Sequence, residues 1–357
     1  NGIHLTIDID RRNRGNRFSM AKLSDIAEEV GVSNKTVSLT LRGIKCASPE
    51  ISRQIHAVSD RIGYVPSQAA RDMRKSHSDF IGLLGNMVAT TPHTVELIRG
   101  AQDEALAWSR RLLIGTIDKD SDAEREFLTM FKAHRVSGVV YATLSRQRIS
   151  HKFEVPTENL VLANCGFADG SGRSILPDDE GGGQLQAAHL VGLGHRHIGV
   201  ISLAASANAT NLRLSGIRSV FAEHGIELES RFMKEGIEGP AETESYIAFE
   251  VAKEMLTAPD RPTAIICGND RIALLTFCAA AELGLQVPSD LSLVGFDDFK
   301  TVTEGLRPEL TTVKLPYYEM GRLAVQAVIK GATDQILEQV VPCELVERGS
   351  CGPPKLN

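Results

Sequence analysis

The sequence predicts a small all-α helix-turn-helix head joined by a hinge helix to a larger α/β domain of two doubly wound lobes. Three observations predict it. Residues 24–62 place their apolar side chains at helical spacing. A short basic segment, Ser67 to Lys75, follows them. From Phe80 onward short β-rich runs alternate with amphipathic stretches, and the series restarts near Pro177. A length of 357 residues accommodates two or three such domains.

In the head, Ile26 and Val30 stand four apart, as do Val37 and Leu41, giving two short helices one apolar stripe each. Ala27 permits a close helix crossing, Gly31 ends the first helix, and Val32 fills the corner. Ser33 is placed to cap the second helix, leaving Asn34, Lys35, Ser38, Leu39 and Arg42 outward. Ser48-Pro49-Glu50 starts a third helix whose Ile51, Ile55, Val58 and Ile62 close the core, and Gly63 stops it. A helix pair with a glycine turn and a polar outer face is the arrangement that lays its second helix in the DNA major groove. Many small helical domains contain such a pair, so the rest of the chain decides. Residues 1–79 hold thirteen basic and nine acidic residues, a balance of +4, whereas the remainder carries −10. A basic head on an acidic body confines phosphate contact to the head. Residues 1–19 are read as an N-terminal extension, disordered or artefactual; the head spans 20–66, the hinge helix and linker 67–79, and the body 80–357.

In the body, strands are expected at Phe80–Gly85, Leu112–Ile117, Gly138–Ala142, Asn159–Asn164, Ile198–Ser202, Ala264–Cys267, Leu291–Phe296 and around Val340–Val346. Helices are expected over Thr94–Ser109, through Phe127 and Phe131, and at Leu185–Leu193, Leu214–His224, Glu242–Leu256, Ile272–Leu283 and Tyr318–Ile329. In doubly wound sheets ligands bind beyond the carboxyl ends of the strands. The residues there are Asn86, His93, Tyr141, Asn164, Asn269-Asp270 and Asp297-Asp298, with Arg213 opening a helix after a polar loop. Amides, carboxylates and a guanidinium suit a ligand rich in hydroxyl groups, a sugar or polyol. The alternative for Asn269, Asp297 and Asp298 is helix capping.

Catalytic and cofactor readings find no support: G-x-S-x-G, G-x-x-x-x-G-K-[ST], H-E-x-x-H and G-x-G-x-x-G are all missing. The sequence therefore predicts no enzyme, no cofactor and no metal. Gly181-Gly182-Gly183 reads as a loop leading into a helix, His195 and His197 as part of a solvated turn, and Asp178-Asp179-Glu180 as acids without clustered partners. The six cysteines are dispersed, as reduced thiols of a cytoplasmic protein are. No apolar run spans a bilayer, and no signal-peptide core stands at the N-terminus, which argues against a secreted binding protein.

MAKLSDIAEEVGVSNKTVS, IGYVPSQAAR, GLGHRHIGVIS, PTAIICGNDRIAL, LGLQVPSDLSLVGFDD, RPELTTV and LVERGS together resemble the LacI/GalR family of bacterial transcriptional repressors, from Met20 to Pro353. The resemblance implies periplasmic-binding-protein-like lobes, a homodimer on near-palindromic operator DNA, and release by a small sugar-like effector. It places DNA contacts at Ser33, Asn34, Lys35, Thr36, Ser38, Leu39 and Arg42, with hinge residues Ala70 and Met73 in the minor groove. It places effector contacts at Asn86, His93, Asn164, Arg213, Asn269 and Asp297. Lobe 1 would comprise about 80–177 and 314–340, and lobe 2 about 178–313 and 341–357. Two departures stand out: Leu39 replaces a frequent arginine, and Asn164 a frequent aspartate. No leucine-heptad tail follows Pro353, so no tetramer is expected. The reading is a cytoplasmic, allosteric repressor of carbohydrate genes, nucleoid-associated when bound to DNA. The alternatives are a corepressor-type regulator and a solute-binding protein of a sugar transport system.

Overall fold

Three short helices build the N-terminal unit: α1 Leu23–Val30, α2 Asn34–Thr40 and α3 Pro49–Ile62. Gly31 and Gly63 take the left-handed conformation that terminates α1 and α3. Ser33 and Ser48 accept the backbone N–H of Thr36 and Ile51, satisfying donors that the first turns leave open. Ile26, Ala27, Val37 and Ile55 are buried together, with Leu23, Val30, Val32, Leu41, Ile51, Val58 and Ile62 packed around them. The expected three-helix core is therefore the observed one, although Thr40 is buried while Leu41 is half-exposed.

The computed structural model describes residues 21–64, 78–86, 88, 95–117, 121–150, 153, 159–239, 245–331 and 338–355. The expected hinge segment, with Ala70 and Met73, lies outside them, as do His93 and the N-terminal extension. The chain divides into two units, residues 1–76 and 77–357.

In the second unit the strands are, in chain order, β1 Phe80–Asn86, β2 Arg111–Ile117, β3 Val139–Ile149, β4 Leu160–Phe167, β5 Arg173–Pro177, β6 Ile198–Ser202, β7 Met233–Glu235, β8 Ile237–Glu238, β9 Ser245–Tyr246, β10 Ala264–Cys267, β11 Ser292–Asp297, β12 Thr311–Lys314, β13 Glu338–Val341 and β14 Glu344–Val346. One sheet has the order β13-β5-β4-β3-β1-β2 and is parallel throughout. The other runs β14-β12-β11-β10-β6-β7, parallel except for its antiparallel edge strand β14. Helices pack on the sheets, so strands such as β4 and β6 are buried along their whole length and are mostly apolar.

Several local expectations need correction. The terminal run is two strands, and the Pro342-Cys343 break sends β13 to one sheet and β14 to the other. Arg173–Pro177 is a strand, although only five residues long and preceded by Gly170 and Gly172. The helix expected from Glu242 begins at Ala248, behind β9. Gly181-Gly182-Gly183 is not a loop but lies within the helix Asp179–Gly192, which Asp178 caps through the Gly181 N–H. The glycines buy close approach: a Cβ on Gly183 would sit 2.1 Å from the Arg213 carbonyl oxygen, and one on Gly216 2.0 Å from that of Glu180. Helices Asp179–Gly192 and Asn208–Glu223 thus pack backbone to backbone.

His195 is not on a solvated turn either. It is fully buried, with Nδ1 2.8 Å from the Thr263 hydroxyl and Nε2 2.8 Å from the Gly352 carbonyl. Ser292 and Ser350 add bonds between the C-terminal segment and β11, fastening residues 350–352 across the sheet. Burial pushes the His195 pKa below its ordinary value, which keeps the ring neutral. His197 packs edge-on against Phe232, with ring centroids 5.0 Å apart.

Candidate functional site

The outward surface of α2 is set by its cap. Asn34 and Lys35 are exposed in its first turn, where orphan N–H groups and a cation suit a phosphate or a base edge. The Ser33 and Thr36 hydroxyls lie 2.9 Å apart and share a hydrogen bond, so they act as one polar unit. Ser38 and Leu39 are half-exposed, and Arg42 is exposed with its Nε donating to the Ser38 carbonyl at 2.9 Å. That bond holds the Arg42 stem along the helix C-terminus. Cys46 meets Thr36 and Thr40 from the other side.

In the second unit the polar residues fall into two groups, one on each sheet; Asn86 ends its strand, whereas Tyr141 and Asn164 stand within β3 and β4, which run on past the expected ends to Ile149 and Phe167. On the first sheet, Asn86 ends β1 and hydrogen-bonds to Tyr141 of β3. Burial raises the Tyr141 pKa to about 12, against the pull of that bond, so the phenol stays a proton donor. Asn164 of β4 adopts φ +59° and donates from Nδ2 to the carbonyls of Thr143 and Leu144 at 3.1 and 3.0 Å. It braces the place where the β3–β4 register shifts, between Ala142 and Gln147. An asparagine tolerates the left-handed conformation and supplies the donor; an aspartate would supply no donor.

On the second sheet, Asn269 follows β10 and caps the helix Asp270–Glu282 by accepting from Ile272 N at 2.8 Å. Its Nδ2 donates to the Tyr246 hydroxyl at 3.2 Å. The capping alternative therefore holds, and both ends of the amide are engaged. Asp297 ends β11 with φ +111°, and Asp298 follows with φ +55°. Asp298 is buried and pairs with Arg348 at 2.7 Å and Lys300 at 3.0 Å, so it anchors the turn. Asp270 lies behind Asp297 and accepts from Thr312 Oγ1 at 2.6 Å and Phe299 N at 2.7 Å. Burial, then the nearby Asp297 charge, raises its pKa well above the carboxylate range.

Arg213 lies in the second turn of its helix rather than at the opening. Its Nε donates to Asp179 at 3.0 Å, its Nη1 to the Gly268 carbonyl at 2.7 Å, and its plane rests on the Phe296 ring at 3.5 Å. Burial disfavours its charge, but Asp179 and then Asp297 outweigh that, and the pKa stands above its ordinary value. Among the described residues, Nε and Nη1 carry the hydrogen bonds of Arg213 and Nη2 shows none. The fold thus brings Arg213, Asn269 and Asp297 together beside β10 and β11, with the guanidinium and the amide held by hydrogen bonds. Asp179 and Arg146 were missed as site residues. A buried carboxylate at a crossover requires a cationic partner, but the partners stand 34 and 33 residues away and no short motif marks them.

This architecture superposes on the crystal structure of a LacI-family transcriptional regulator from Rhizobium etli with a TM-score of 0.70 and 38% identity, covering 77% of this chain and 99% of that one. The chain belongs to the LacI family. Residues 22–67 match the model for bacterial regulatory proteins of the lacI family, and residues 187–351 that for a periplasmic binding protein-like domain. Relatives of this LacI-family chain include the HTH-type transcriptional repressor PurR of Serratia proteamaculans, 29% identical over 93% of this chain and 97% of that one. The ribose operon repressor of Escherichia coli is 28% identical over 93% of this chain and all of its own length. No helix among the described residues is long and apolar enough to cross a membrane.

Proposed function

We propose that this protein is a sequence-specific transcriptional repressor of carbohydrate-metabolism genes, released from its operator by a small sugar-like effector. The observation that carries the reading is a capped α2 with exposed Asn34 and Lys35, on a chain whose body holds hydrogen-bonded Arg213 and Asn269 close to Asp297. A transport-system binding protein has no use for the first, and an enzyme would need a nucleophile and base that the second does not supply. Relatives named as ribose and sucrose operon repressors support the carbohydrate class. The protein acts as a cytoplasmic homodimer, with one α2 in each half-site and the hinge residues Ala70 and Met73 at the operator centre. The effector, gripped by Asn86, His93, Asn164, Arg213, Asn269 and Asp297, shifts the lobes between two arrangements and so weakens operator binding.

Selection of bound DNA from a random pool tests the first part: recovery of near-palindromic sites with salt-sensitive affinity is expected, and recovery of no preferred sequence would sink it. Titrating the recovered operator complex with D-ribose, sucrose and cellobiose then gives the sign of the response, because a corepressor would tighten the complex. Asp297→Ala should abolish the response and leave operator affinity within about twofold; a wild-type response would remove Asp297 from the effector site. Leu39 presents an apolar contact where an arginine would read guanine, so Leu39→Arg should move the preference at one base pair per half-site towards G·C by about 1–3 kcal/mol. An unchanged site profile would show that Leu39 does not face the bases.

A further inference from the structure

Arg213 is held by a chain of charges that crosses between the two sheets. Its Nε donates to Asp179 Oδ1 at 3.0 Å, and Asp179 Oδ2 accepts from Arg146 Nη1 at 3.4 Å. Arg146 belongs to β3 of the first sheet, in the irregular stretch that Asn164 braces. The same Nη1 donates to the Pro177 carbonyl at 3.0 Å, and Nη2 lies 3.7 Å from Glu338 of β13. Arg213 belongs to a helix packed against the second-sheet core, and Asp179 opens the helix beside it. Asp179 is 1% exposed, Arg213 9% and Arg146 13%, so little solvent screens the array. The array also sits at the chain crossover. Pro177 pairs with Val341, and Asp178 N donates to the Val341 carbonyl at 2.9 Å, just before β14 leaves for the other sheet.

We propose that Asp179, shared between Arg146 of the first lobe and Arg213 of the second, is the positioning residue that ties the ligand-facing guanidinium to the relative placement of the lobes. The physical reason is the shared carboxylate. A movement of one lobe that draws Arg146 away leaves Asp179 bonded to Arg213 alone, which tightens that pair and retracts Nη2. An approach of Arg146 divides the negative charge and frees Arg213 towards the ligand. Because Gly183 and Gly216 lock the helices of Asp179 and Arg213 backbone to backbone, those two residues move together and a movement between the lobes is taken up at the Arg146 contact. The consequence for regulation rests on the effector reading above: a ligand that engages Arg213 would be sensed as a preferred arrangement of the lobes.

The test does not require the effector. Arg146 and Arg213 are bonded to opposite oxygens of Asp179, so independent roles predict additive effects on stability and a shared carboxylate predicts coupling. Equilibrium urea unfolding of the full chain, followed by the single tryptophan Trp108, is measured for wild type, Arg146→Met, Arg213→Met and the double variant. The expected double variant departs from additivity by at least threefold in the unfolding constant, and the departure disappears in an Asp179→Asn background. Additivity in the Asp179 protein, or coupling that survives Asp179→Asn, would overturn the proposal. If Arg213→Met does not fold, Arg213→Lys takes its place in the cycle, since it keeps the charge and loses the two-nitrogen fork. Titration with D-ribose, sucrose and cellobiose forms a separate arm. Failure of all three to bind wild type counts against the effector class alone and leaves the unfolding cycle decisive.

Discussion

Arg213→Met should lower the stability of the second unit by about 3 kcal/mol and abolish effector binding. Methionine fills much of the same volume and can lie on Phe296, so the loss is electrostatic rather than a cavity. Removing one partner of a buried pair leaves the other charge uncompensated, at a typical cost of about 3–5 kcal/mol. Asp179 would retain Arg146 at 3.4 Å, which places the cost at the lower end. The Gly268 carbonyl would also lose its donor beside the Asn269 cap. Adding Asp179→Asn to Arg213→Met removes the stranded charge and should recover about half of the stability without restoring the ligand contact. A melting temperature within about 2 °C of wild type for Arg213→Met would contradict the pairing described above.

Gly183→Ala should destabilise the same unit by more than about 3 kcal/mol, although alanine is the better helix former. The new Cβ would stand 2.1 Å from the carbonyl oxygen of Arg213. That atom is backbone, so no rotamer change relieves the clash and the helices must separate. Separation would also pull Asp179 from Arg213, coupling a packing defect to the site. The neighbouring exposed Gln184→Ala is the control and should shift stability by no more than about 0.5 kcal/mol. Thermal unfolding of both variants checks this; equal melting temperatures would mean that the helix crossing is looser than the structure shows.

Much of the architecture was legible because its signals are local. Ser33 and Ser48 lie three residues from the amides they cap, and Gly31 and Gly63 end helices by their own backbone freedom. Strand ends followed by polar residues marked Asn269 and Asp297 as candidates, and the pairing of β10 with β11 makes them neighbours. Three glycines in a row and an H-R-H triplet carry the same local signal as a turn, and only distant neighbours place the first in a helix and bury the first histidine of the second. A buried histidine joined to Thr263, Ser292 and Gly352 depends on residues 68 to 157 positions away.

Short-range signals specify the three-helix head with its capped α2, the alternation that builds two largely parallel sheets, and the residue types at the ends of their strands. Those follow from short-range periodicity, capping and turn chemistry, in which each residue acts on its near neighbours along the chain. Packing between distant elements sets how those side chains are used. It made Asn164 a brace, made Asn269 a cap, and bound Arg213 to Asp179 and Asp179 to Arg146. A buried charge takes its partner from whatever element packing brings within about 4 Å, and that choice leaves no periodic trace in the chain.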